Sequence, residues 1–79
     1  MRFLYLVTDG QFEDPDIGCY RSFGLHCFAC GPLSRKLVVS LPDVSPDADF
    51  VKNLAVLLTK GQLYPVHLLD VVVDFLALH

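Results

Sequence analysis

His67, Asp70 and Asp74 recur within PVHLLDVVVDFLALH, Pro65 to His79. Spacings of three and four residues put all three on one stripe of a helix. A histidine beside a carboxylate can hold a single tautomer, act as a base or ligate a metal. Such a stripe could form half of a metal site, as facing helices do in bundles. The plainer reading is a polar seam along a mostly buried helix, or polar contacts at an interface.

A second set of reactive side chains is Cys27-Phe28-Ala29-Cys30-Gly31. In a zinc knuckle this spacing lets two thiolates grip one metal, with glycine easing the turn beneath them. A structural zinc needs four ligands, and Cys19, His26, His67 and His79 are the remaining cysteine and histidines. A homodimer could complete the site with two cysteine pairs, so metal binding by Cys27 and Cys30 across a dimer, or by His67, Asp70 and Asp74, is the alternative reading. As reduced thiols the cysteines act as small hydrophobic residues. The acids Asp9, Glu13, Asp14 and Asp16 lack the alternation and the closing bidentate acid of a calcium loop. No phosphate-binding glycine loop or nucleophile elbow is present. No catalytic residue is therefore named and no cofactor is expected.

These residues must be positioned by a small chain. It has 79 residues, of which 53% are hydrophobic, and a net charge of −3. A chain this short buries roughly 60% of its unfolded surface, which leaves a marginal core. An apolar excess then implies side chains on the surface that meet another surface, most simply in a homodimer. Six Lys and Arg, scattered along the chain, do not make the clustered basic face that nucleic acid requires. No apolar run reaches the roughly 18 residues of a membrane span, and FLYLV is too short for a secretory signal. The expectation is one cytoplasmic domain with reduced cysteines.

The pattern predicts three strands followed by two helices. Residues 2–9, 19–30 and 33–41 alternate in the manner of half-buried strands, with Gly10 to Gly18 as an acidic loop and Pro42 ending the sheet. Phe3, Tyr5 and Val7 face one side of the first strand, Leu4, Leu6 and Thr8 the other. Its two apolar faces leave open whether it is central or whether both sheet faces are covered. Leu37, Val39 and Leu41 share a face of the third strand. Gly24 marks a bulge or a close backbone approach. Short connections favour an antiparallel meander. Helix one spans 46–60, with Ser45 as N-cap, Pro46 at its first position, Phe50, Val51, Leu54, Leu57 and Leu58 as its apolar face, and Gly61 beyond its end. Helix two spans 65–78, and the short linker makes the pair an antiparallel hairpin on one sheet face, an α+β domain.

The run at Pro65, His67, Leu68, Asp70, Val71, Val72, Asp74, Phe75 and Leu76 resembles the Pro-x-His-Leu-x-Asp-Val-Val-x-Asp-Phe-Leu ending of a family of small uncharacterised proteins from clostridial Firmicutes, a domain of unknown function. Phe23-Gly24 is similar to that family's strand motif, and Asp43-Val44-Ser45-Pro46-Asp47 to its helix start. The resemblance covers most of the chain from Cys19 onward. Val73 stands where an acid is usual and Tyr64 where a small capping residue is usual. The family brings no known activity, so the resemblance implies a fold and a map of residues. The function expected is a non-enzymatic interaction or regulatory module acting as a homodimer, or one docking a protein partner. Helix two would be the contact surface. His67, Leu68, Asp70, Val71, Asp74, Phe75 and Leu78 would face the partner, while Val66, Leu69, Val73 and Leu76 pack on the sheet.

Overall fold

A computed structural model describes residues 2–78; His79 lies outside them. Three strands, β1 (Arg2–Asp14), β2 (Gly18–Cys30) and β3 (Arg35–Ser45), form one open antiparallel sheet in the order β1-β2-β3. Helix α1 (Ala48–Gly61) follows, then a 3₁₀ turn (Pro65–His67) leading directly into α2 (Leu68–Leu78). Both helices pack on the sheet, and this is the expected α+β architecture. β2 is central and β1 is an edge strand.

One face of the sheet is covered. Tyr5, Leu25 and Cys27 lie buried in one cluster with Val51, Leu54, Ala55 and Leu58 of α1 and Leu68 and Val72 of α2. Phe3, Val7, Phe23, Val39 and Leu41 pack around it. The inward residues of β1 and β2 are the odd-numbered ones, in direct register: Phe3 opposite Ala29, Tyr5 opposite Cys27, Val7 opposite Leu25. The even positions, Leu4, Leu6, His26 and Phe28 among them, lie on the other face, so the two apolar sides of β1 do not make it central.

β1 and β2 are longer than expected. Gly10 to Asp14 pair residue by residue with Gly18 to Ser22, leaving only Pro15, Asp16 and Ile17 as the turn. Asp14 Oδ1 accepts from the Asp16 and Ile17 amides at 2.7 and 3.3 Å, and Gly18 takes φ 81° to re-enter the sheet. The acids concealed this stretch as strand for a geometric reason. Thirteen residues of strand reach roughly 43 Å, whereas fourteen of helix reach about 21 Å, so α1 covers about half of the hairpin. The long axis of the molecule is 45 Å. Beyond the helices the odd positions are Asp9, Gln11, Glu13, Cys19 and Arg21, and an uncovered face can be polar.

β3 carries the irregularities. Phe28 pairs with Leu37 although Cys27 pairs with Val39, so Val38 is an extra residue. That shift turns Leu37 away from the Val39 and Leu41 side and leaves it exposed, correcting the shared face expected. β3 runs through Pro42, which an edge strand tolerates at a bulge. Gly24 is where a Cβ would collide with the backbone at Leu41 and Pro42, the close approach that its position in β2 suggested.

The helix ends also differ from expectation. Ser45 pairs with Phe23 in the sheet, so the cap of α1 moves on to Asp47, whose carboxylate accepts from the Asp49 and Phe50 amides. Ser45 Oγ accepts from the Asp47 amide at 3.1 Å, turning the chain into the helix. The left-handed residue at the C-terminus is Gln62, φ 50°, not Gly61. Leu57 points out to solvent, and α1 buries Val51, Leu54, Ala55 and Leu58.

Candidate functional site: the outer face of helix two and the free edge of strand one

α2 is apolar all round, and the chain had to choose which stripe to bury. Leu68 is 1% exposed and Val72 3%, and Val71 packs beside them. Val66, Leu69 and Val73 are 81%, 61% and 55% exposed, and Leu76, Phe75 and Leu78 are exposed as well. The expected facing is overturned in part: Leu68 and Val71 belong to the core side and Val66, Leu69, Val73 and Leu76 lie outside, while Phe75 and Leu78 are exposed as expected. The cause lies in the entry to the helix. Tyr5 Oη donates to the Leu63 carbonyl at 2.7 Å, fixing the linker on the sheet, and the 3₁₀ turn at Pro65–His67 then sets the rotation of α2. Neither contact is visible in the periodicity.

His67, Asp70 and Asp74 are all exposed. Among the described residues no hydrogen bond or ion pair joins their side chains, and no group of three or more His, Cys, Asp or Glu is placed to hold a metal. The cysteine pair fails as a knuckle on geometry. Cys27 lies fully buried among the core residues, while Cys30, three residues on in an unbroken strand, belongs to the opposite face. Their α-carbons are on the order of 10 Å apart, beyond the reach of a disulfide or a shared zinc. Burial pushes the Cys27 thiol up from its ordinary value. All three cysteines are free.

Two side-chain arrangements escaped sequence reasoning. At the edge of β1, Gln62 and Thr59 of the α1 end take the place of a neighbouring strand. Gln62 Oε1 accepts from the Phe3 amide at 2.8 Å and Gln62 Nε2 donates to the Phe3 carbonyl at 3.0 Å. Thr59 Oγ1 accepts from the Tyr5 amide at 3.0 Å and donates to its carbonyl at 3.4 Å. The outward backbone groups of Val7, Asp9, Gln11 and Glu13 have no such partner among the described residues. Alongside this edge runs a groove of about 460 Å³ between β1 and α1, lined by Leu4 to Val7 and by Ala55, Val56, Thr59, Lys52 and Lys60.

The second arrangement staples β2 to the unpaired part of β3. Ser22 Oγ donates to Asp43 Oδ1 at 2.6 Å and Tyr20 Oη to Asp43 Oδ2 at 2.5 Å. The two hydroxyl donors, Ser22 first, hold the Asp43 carboxyl below its ordinary value, and the same bond raises the Tyr20 phenol. Both hydroxyls donate to the one carboxylate, which is held ionised and less basic by them, so the cluster fastens β2 to β3. A Tyr-x-Ser in one strand opposite an Asp just past Pro42 was the available signal.

These features define a small α+β domain with a sheet covered on one side, an exposed apolar helix stripe and a partly plugged strand edge. The chain belongs to a family of unknown function (DUF6514), whose model matches residues 1–78. The match takes in β1 as well as the regions that carried the resemblance. No curated protein and no solved structure matches the chain. No helix among the described residues is long and apolar enough to cross a membrane.

Proposed function

We propose that the protein is a small non-enzymatic interaction module that acts as a homodimer and presents the outer stripe of α2 to a partner protein. The observation that carries this reading is the division of α2. Leu68 and Val72 are buried with Val71 beside them, yet Leu69, Val73 and Leu76 stay exposed at spacings of four and three, with Val66 of the preceding 3₁₀ turn exposed ahead of them. That is the spacing with which one helix meets another. A solvated helix gains nothing from such a row, and exposed apolar stripes mark contact surfaces. Asp70 and Asp74 border the stripe and Lys or Arg is absent from α2, so a partner helix with basic flanks suits it. A cytoplasmic setting suits three unpaired cysteines.

The test is light scattering at micromolar concentration, with circular dichroism and apolar-dye binding, on wild type and the Leu69→Glu/Val73→Glu double variant. A dimeric wild type and a variant of unchanged fold with at least three-fold less dye binding are expected. A monomeric wild type whose double variant matches it in solubility and dye binding would sink the reading.

A further inference from the structure

β1 and β3 are both edges, but only one is fit to pair. β3 is broken by two register shifts and by Pro42, and Arg35 and Lys36 stand at its start. Bulges, proline and basic residues are the usual protection of an edge strand. β1 runs thirteen residues without a break in its register, and among the described residues its edge is plugged at Phe3 by Gln62 and at Tyr5 by Thr59. We propose that two copies pair antiparallel along β1 about a two-fold axis at Gly10, and that the acidic turn of each seats in the groove of the other. This rests on the homodimer reading above and names its surface.

The register follows from charge. The free backbone groups belong to Val7, Asp9, Gln11 and Glu13. Centring the pair on Gly10 uses all four and sets Val7 opposite Glu13 and Asp9 opposite Gln11. Asp9 holds Arg21 of its own chain at 2.6 Å on an exposed surface, where the pair only partly offsets its charge. Centring on Asp9 sets that acid against its own copy, and centring on Gln11 sets Asp9 against Glu13. Like charges directly opposite destabilise a sheet. In the Gly10 register the ladder ends at Val7 against Glu13, where the Thr59 plug begins on one copy and the Asp14–Ile17 turn begins on the other. Asp14 and Asp16 then fall beside Leu4 to Leu6, along the groove that Lys52 and Lys60 line. The acids that the hairpin tip carries and the lysines that the groove carries are thus brought together by the register that uses all four free positions and sets no acid opposite another. The pairing joins two three-stranded sheets into six strands, and none of the groove residues comes from α2.

The experiment uses the full chain with Cys19→Ser as background. Gly10→Cys occupies a non-hydrogen-bonded pair across the axis, where α-carbons lie about 4.5 Å apart, within disulfide range. It should cross-link under mild oxidation at least ten-fold faster than Thr8→Cys, whose counterpart across the pair is Phe12. Gln11→Pro deletes an outward amide that the monomer does not use, and should weaken dimerisation at least ten-fold; Lys52→Glu/Lys60→Glu should weaken it comparably. Equal cross-linking of the two cysteine variants overturns the register. A dimer that survives Gln11→Pro and the lysine reversals but is lost in Leu69→Glu/Val73→Glu overturns the edge pairing and keeps the homodimer. A monomeric wild type at 100 μM overturns both.

Discussion

Gln62 completes the backbone of Phe3: one carboxamide accepts from its amide and donates to its carbonyl, as a neighbouring strand would. To do so Gln62 holds φ 50°, a conformation that costs a residue with a Cβ roughly 1–2 kcal/mol. Each hydrogen bond returns about 0.5–1.5 kcal/mol, and Gln62 Nε2 makes a further one to the Thr59 carbonyl at 2.6 Å. Gln62→Gly should relax the backbone yet lower stability by about 1 kcal/mol, and Gln62→Ala should lose about 1 kcal/mol more. Urea denaturation of the three proteins gives the order. A glycine variant more stable than wild type would show that the clamp contributes less than its backbone conformation costs.

At Gly24 β2 and β3 approach closely, because a Cβ there would meet only backbone atoms of Leu41 and Pro42. Gly24→Ala should destabilise by about 1–3 kcal/mol, the range of an overpacked site, through movement of β3. Loss of the Ser22–Asp43 bond should accompany it. A thermal midpoint within a degree of wild type would mean that β3 leaves room for a Cβ at Gly24.

The Ser22 and Tyr20 bonds to Asp43 give the stability profile two edges. The Asp43 carboxyl is lowered in the fold, so its contribution is present above the ordinary value of 3.8 and lost as pH falls through the lowered one. The Tyr20 phenol is raised, so its contribution is present below 10.0 and lost as pH rises through the raised value. Asp43→Asn should flatten the acid limb and Tyr20→Phe the alkaline limb. Urea midpoints from pH 3 to pH 11 check the assignment, and limbs unchanged in both variants would refute it.

Tyr5 reaches from the edge strand to the linker before α2. Burial, ahead of the nearby Cys27 thiol, raises its phenol far above the ordinary tyrosine value. In a spectroscopic titration it should remain neutral until the chain unfolds. Tyr5→Phe leaves the Leu63 carbonyl without its donor and should cost about 1–3 kcal/mol. Because that bond sets the entry to α2, dye binding to the outer stripe should change with it.

The order of strands and helices was legible because Leu25 and Cys27 carry a two-residue period, Val51, Leu54 and Leu58 a helical one, and turn residues part the segments, whereas Leu4 and Leu6 hid which side of β1 is inward. Three further things were not legible. Gly10 to Asp14 are strand without an apolar face, because no helix reaches them. Leu37 exchanges faces because Val38 bulges, and a bulge leaves no mark on composition. The two stripes of α2 are so alike in character that only the Tyr5–Leu63 bond and the 3₁₀ turn decide between them. Of the residues singled out for chemistry, His67, Asp70 and Asp74 share an exposed seam, whereas Cys27 and Cys30 are parted by the pleat. Gln62 and Thr59 could not be found by motif, since what they recognise is backbone and their spacing of three is ordinary in a helix.

The burial of Cys27 gives this chain an internal clock. Its sulfur touches no solvent, whereas Cys19 is exposed and Cys30 partly so. A thiol reagent in excess should therefore label two sites at once and the third only when helices and sheet part. Under conditions where reclosing outruns labelling, the slow phase reads out the equilibrium of that opening at Cys27, without denaturant. Ligands, partners or a second copy that steady the fold would register as a longer wait before Cys27 reacts.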